Sequence, residues 1–194
     1  MGNFYTNLCT YGASQPAVRA AMAGREAMIS PQINGVVVVF DEQCESQDPD
    51  DLAGLAAHLS TVCKCPVLAT MIHDDSVLAY VLYDNGRLAD TYNSCPGYFG
   101  SGDEEGNDDG GDDESPSGGN AVALAAAFLP GANTPEAVAA IEAILRAGSD
   151  EYVFEVERHQ ALAEALKLPD FVAGAGYNYV VDGDVDGLPE LLRL

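Results

Sequence analysis

Tryptophan is absent from this sequence of 194 residues, lysine stands only at Lys64 and Lys167, and Lys and Arg together number 8 against 31 Asp and Glu. So few bases exclude the attraction on which nucleic-acid and anionic-membrane binding depend, because a formal net charge of −23 repels both. No apolar run approaches the roughly 20 residues that a membrane-spanning helix requires. The opening Met1-Gly2-Asn3-Phe4-Tyr5-Thr6 fits the loose pattern for N-myristoylation, but a single acyl chain on so acidic a surface holds a membrane poorly. No apolar export segment stands at the N-terminus, and Cys9, Cys44, Cys63, Cys65 and Cys95 are an odd set without the spacing of a disulfide framework. Reduced thiols in a cytoplasmic protein are the expectation. Familiar catalytic signatures are missing as well: no glycine-rich phosphate loop follows a strand, no His-Glu-x-x-His occurs, and there is no serine elbow.

What is present argues for a folded body. Hydrophobic residues make up 47% of the chain, too many for a disordered acidic polymer, and the length suits one domain spanning residues 1–194. Eight of the acids fall between Asp103 and Glu114 with no base among them; taking those eight from −23 leaves −15, so the remainder is acidic too. A basic protein partner, a salt-rich cytoplasm and ordinary solubility each account for that surplus.

Periodicity and turn chemistry predict an α+β fold: a mostly antiparallel sheet of about six to seven strands with helices packed on it. The order reads βαββ, αβββ, then C-terminal helices and a last strand. Asn3 to Tyr11 reads as a strand, and Ser14 with Pro16 opens a helix. Asn34-Gly35 between apolar runs is the signature of a type I′ hairpin. Asp48-Pro49 opens a second helix with Leu52, Leu55, Ala56 and Leu59 as its stripe. Runs at 66–72, 76–83 and 87–92 follow, broken by His73-Asp74-Asp75 and Asp84-Asn85-Gly86 as hairpin turns. Val36 to Phe40 and Val77 to Tyr83 are apolar at odd and even positions alike, which predicts burial on both faces. The early helices cover one face and helices at 120–129, 134–147 and up to Leu168 cover the other. Residues 100–119, almost wholly Gly, Asp, Glu, Ser, Asn and Pro, are expected to form a mobile acidic loop, and residues 176–181 a last strand.

Several constellations carry possible chemistry. Cys95 with His73 and Asp74 or Asp75 has the makings of a nucleophile, base and orienting group, since the turn order brings both ends together. The competing reading has the acids shaping a turn and His73 solvated. Asp182, Asp184 and Asp186, at alternate positions before Gly187, match the opening of a calcium loop, but its twelfth position is Arg193 where a bidentate glutamate belongs. An acidic turn is the plainer reading. His58, Cys63 and Cys65 lack the paired spacing of a zinc site and suit core packing better. Tyr98 and Phe99, in a run of turn formers and aromatics before the acidic stretch, serve either as interface anchors or as caps on the core. The leading expectation is a non-catalytic acidic module engaging a basic protein, without nucleic acid, membrane or cofactor. A cysteine-dependent hydrolase or transferase using Cys95 and His73 is the alternative, and a weak divalent-cation binder, with calcium as its ion, the third reading.

Overall fold

Strands that are apolar on both sides need a cover on each, and this chain supplies the covers in sequence order. A computed structural model describes residues 2–98, 115–148 and 151–194. Its elements are β1 (Phe4–Tyr11), α1 (Gln15–Ala21), β2 (Ala27–Ile29), β3 (Val36–Asp41), α2 (Pro49–Cys63), β4 (Pro66–His73), β5 (Val77–Asp84) and β6 (Arg87–Asn93). Then come β7 (Ser117–Gly118), α3 (Ala121–Phe128), α4 (Pro135–Arg146), α5 (Glu155–Ala165), α6 (Tyr177–Asp182) and β8 (Leu192–Arg193). Among the described residues these form an α+β fold with 6 helices and one antiparallel sheet of 8 strands, in the order β7-β6-β5-β4-β1-β3-β2-β8. On one face Leu8, Val37 and Val39 pack with Val18 of α1, Met22 just after it and Leu55 of α2. On the other, Val38, Phe40 and Ile72 pack with Leu124, Ile141, Leu162 and Val180 of the four later helices.

The helix starts follow the capping signals. Asp48 accepts a hydrogen bond from the Asp50 amide at 2.9 Å, and the side chains of Ser14, Asn120 and Thr134 accept from the amide three residues on. Asn34 and Gly35 both take positive φ, 53° and 83°, as a type I′ turn demands. The run before that turn is not one strand, however. Only Ala27–Ile29 pairs with β3, and Ile33 rejoins it opposite Val36, one residue out of register. Pro31 has no amide to give the ladder, and the Ser30 hydroxyl takes the Val38 amide instead, at 2.8 Å.

Two expectations need correction. The sheet exceeds six to seven strands because two-residue pieces close its edges: Ser117–Gly118 beside β6, inside the stretch expected to be an acidic loop, and Leu192–Arg193 beside β2. The remainder of that acidic stretch, 99–114, lies outside the described residues. The last strand expected at 176–181 is helix α6. Its β-branched and aromatic residues favour a strand locally, but Tyr177 and Val180 bury on one helical face, and Gly183 closes the helix at φ 80°. Gly176 has no side chain to cap it, so the carboxylate of Glu45 serves from across the fold. One of its oxygens accepts from the Tyr177 amide at 3.0 Å and from the amide and hydroxyl of Thr6, both at 3.3 Å. Thr6 is free for this because the β1–β3 pairing covers only Leu8 to Tyr11. Burial raises the carboxyl of Glu45, while these hydrogen bonds oppose the shift.

β1 is polar where the C-terminal third meets it. Asn7 donates from its amide nitrogen to the carbonyls of Val172 and Ala175, both at 2.9 Å. Tyr5 and His159 stack, and the Tyr5 hydroxyl lies 2.8 Å from Nδ1. The pair is sealed from water, and burial raises the Tyr5 phenol. Neither Nε2 of His159 nor Oδ1 of Asn7 has a partner among the described residues.

Burial pushes His159 down from 6.5 to about 4. Between those values the unfolded chain binds a proton that the fold refuses, so stability falls as pH drops through that window, by about 3 kcal/mol in full. Glu45 and Glu155 are raised by burial and act in the opposite sense. The histidine's share is therefore the difference in urea midpoints between wild type and His159→Asn across the window, expected to shrink steadily towards pH 4. A constant difference would refute it.

Candidate interaction face at the β4–β5 end of the sheet

The turn joining β4 to β5 holds this end together. Asp74 and Asp75 sit at φ 52° and 55°, a left-handed conformation that aspartate tolerates, and the Ser76 amide donates back to the His73 carbonyl at 2.9 Å. Asp75 is a hook. Its carboxylate accepts from the backbone amide of Asn3 at 3.0 Å and from the Asn3 side chain at 2.9 and 3.0 Å, and its carbonyl accepts the Glu155 amide at 2.8 Å. The turn therefore ties the beginning of β1 to the first residue of α5.

α5 is fastened from its other side by Arg158, which is buried together with Glu155. Its guanidinium pairs with the Glu155 carboxylate at 2.9 Å, donates to the carbonyls of Ile144 and Ala147 at the end of α4, and lies over the Tyr152 ring at 4.9 Å. Desolvation raises the Glu155 carboxyl, with Arg158 opposing.

Around this scaffold large apolar groups remain in water. Phe4 and Tyr98 are each 41% exposed, Phe154 51% and Val153 73%, in a region whose neighbouring acids include the exposed Asp74. The His73 ring bridges two of them, meeting Phe4 edge-on at 4.9 Å and Tyr98 at 5.7 Å. Its Nδ1 donates to the side-chain oxygen of Gln47 at 2.6 Å, while the Gln47 nitrogen holds the Ile72 carbonyl. Packing this tight fixes the rings in place.

Cys95 lies at the same end of the sheet, since Ser94 pairs with Leu78 beside the turn. Its amide donates to the Asn93 side chain and its carbonyl accepts the Tyr98 amide, but no hydrogen bond joins it to His73 among the described residues. Asp74 meets the Tyr98 hydroxyl, at a long 3.5 Å. Tyr98 is thus brought into the aromatic cluster, while Phe99 lies outside the described residues. Asp182 ends α6, Asp184 donates its amide to the Tyr179 carbonyl, and Asp186 lines a separate hollow with Asn34 and Asp170. The His58 ring is engaged with the Ala21 carbonyl, and no group of three or more His, Cys, Asp or Glu among the described residues is arranged to hold a metal.

The sequence reading passed over Phe4, Val153, Phe154 and Tyr179. Val153 and Phe154 had a signal: an apolar pair directly before a helix start, off the stripe that packs on the sheet. Tyr179 was hidden by the reading of α6 as a strand.

The hook and the surface acid are separable by substitution. Asp75→Asn, which keeps the left-handed conformation but loses an acceptor, is expected to cost about 1–2 kcal/mol in urea unfolding, and Asp74→Asn less than about 0.5 kcal/mol. No family model matches the chain, and no curated protein or solved structure is significantly similar to it, so this face is read from its own chemistry.

Proposed function

We propose that the protein is a non-catalytic binding module that engages a basic protein partner through the β4–β5 end of its sheet. The observation that carries this is the exposed pair Phe4 and Tyr98, which both meet the His73 ring beside the exposed carboxylate of Asp74, with the exposed Phe154 next to the Glu155 that the same turn holds. Aromatic anchors supply contact area at low entropic cost, and surrounding charge selects the partner and speeds its approach. The charge balance supports the same reading. Of the 8 bases, Arg25, Arg146, Arg158 and Arg193 are committed to ion pairs within the fold, so little positive charge is left to oppose a cationic surface. No helix among the described residues is long and apolar enough to cross a membrane.

Burial pushes the thiols of Cys9, Cys44 and Cys65 up to about 12, which keeps them protonated and unreactive at neutral pH. Alkylation of the folded protein is expected to reach only the half-buried Cys63 and Cys95, and slowly; rapid stoichiometric labelling of Cys95 would favour a cysteine-dependent enzyme instead.

Affinity capture from the source lysate tests the binding reading directly, with wild type compared to Tyr98→Ala/Phe154→Ala. The wild type is expected to retain a basic protein that moderate salt releases, since the charge contribution is screened over about 10 Å at 0.1 M, and the double variant is expected to lose it. Equal retention by both proteins, or affinity indifferent to salt, would overturn the proposal.

A further inference from the structure

We infer that the cleft between Phe4, Tyr179 and Asp184 receives an arginine side chain of that partner; the inference rests on the binding-module reading and adds the group recognised. The cleft has a volume of about 470 Å³, and its walls are Gly2, Asn3, Phe4, Gly174, Tyr179 and Asp184. Among the described residues that line it there is no lysine or arginine, and the exposed Asp184 supplies a carboxylate.

Three features select a guanidinium. Two aromatic rings and one carboxylate are the partners that a planar cation uses, stacking on the rings and pairing with the acid by two parallel N–H donors. A hard metal ion demands several oxygen ligands instead, and Asp182, Asp184 and Asp186 do not converge. An anion meets the Asp184 carboxylate there and no basic side chain among the described lining residues.

The cleft is also pre-formed, which lowers the cost of binding. The Phe4 amide donates to the Tyr179 hydroxyl at 3.2 Å, fixing β1 against α6. Asn3 is clamped to Asp75, and the Asp184 amide donates to the Tyr179 carbonyl at 2.8 Å behind Gly183. Gly174, at φ 87°, gives the cleft a wall with no side chain to fill it. Phe4 belongs to both regions: it meets His73 in the aromatic cluster and lines the cleft, so an arginine seated here is continuous with the apolar contact proposed above.

The test titrates the isotope-labelled full chain with N-acetyl-arginine amide and, as the neutral isostere, N-acetyl-citrulline amide. Amide shifts are expected at Phe4, Tyr179 and Asp184, saturating in the millimolar range for arginine and at least about tenfold weaker for citrulline. Asp184→Asn and Phe4→Leu are each expected to weaken arginine binding by about tenfold, while Asp186→Asn leaves it unchanged. Equal shifts from both amides, or equal affinity in Asp184→Asn and Asp186→Asn, would overturn the cleft. The two proposals fail separately. A basic partner that binds Asp184→Asn as tightly as wild type removes the cleft and leaves the module. If wild type retains no basic partner, the module reading falls and the arginine amide titration alone decides the cleft.

Discussion

A strand covered on both faces has no water to satisfy it, and β1 is such a strand with polar side chains on it. Its Asn7, Tyr5 and Thr6 find partners in residues that lie far along the chain or outside the sheet: the carbonyls of Val172 and Ala175, the ring of His159 and the carboxylate of Glu45. That requirement places the segment from Leu168 to Tyr177 directly over β1. It also explains why Gly176 is a glycine, because a Cβ there would lie 2.5 Å from that of Tyr5. Helix α6, the cleft beside it and the position of α5 all follow from this one contact line.

Most of the fold could be read from the chain because its local signals agree with one another. Asp48-Pro49, Thr134-Pro135 and Asn120 each cap the helix that they announce, and Val36 to Phe40 is buried on both faces as its parity implies. Asn34-Gly35 and Asn85-Gly86 take the positive φ that their hairpins need. The failures came where distant groups override a local preference. The run Tyr177-Asn178-Tyr179-Val180-Val181 is strand-like in composition and helical in fact, because the cap it requires belongs to Glu45, 132 residues earlier. The edge strands Ser117–Gly118 and Leu192–Arg193 are too short to show any period, and the partner strand alone defines them.

The candidate site was legible only in outline. Tyr98 could be singled out from its neighbours, and the β4–β5 turn from its acids, since both signals are local. That Asp75 is spent on holding Asn3 and Glu155 while Asp74 stays in water is a matter of which carboxylate faces β1, and spacing does not encode it. Phe4 and Phe154 lie far apart in the chain and are brought to one end of the sheet through their neighbours Asn3 and Glu155, both held by Asp75. The buried Arg158 and His159 look in the sequence like ordinary polar residues of a surface helix; in the fold they face inward, one pinning the end of α4 and the other stacking on Tyr5.

The bond from Asn7 to Ala175 spans 168 residues, and the one from Tyr5 to His159 spans 154. A chain synthesised at about 5–20 residues per second therefore carries β1 for many seconds before its polar partners exist. During that time the strand can pair with β3 and β4, yet its second face lies open, with Tyr5, Asn7 and Cys9 uncovered among apolar neighbours. Contacts of such range slow folding and leave partly built sheets prone to association. A nascent chain dense in acids meets that hazard with self-repulsion. The same negative charge proposed to draw a partner to the finished fold also keeps unfinished copies apart.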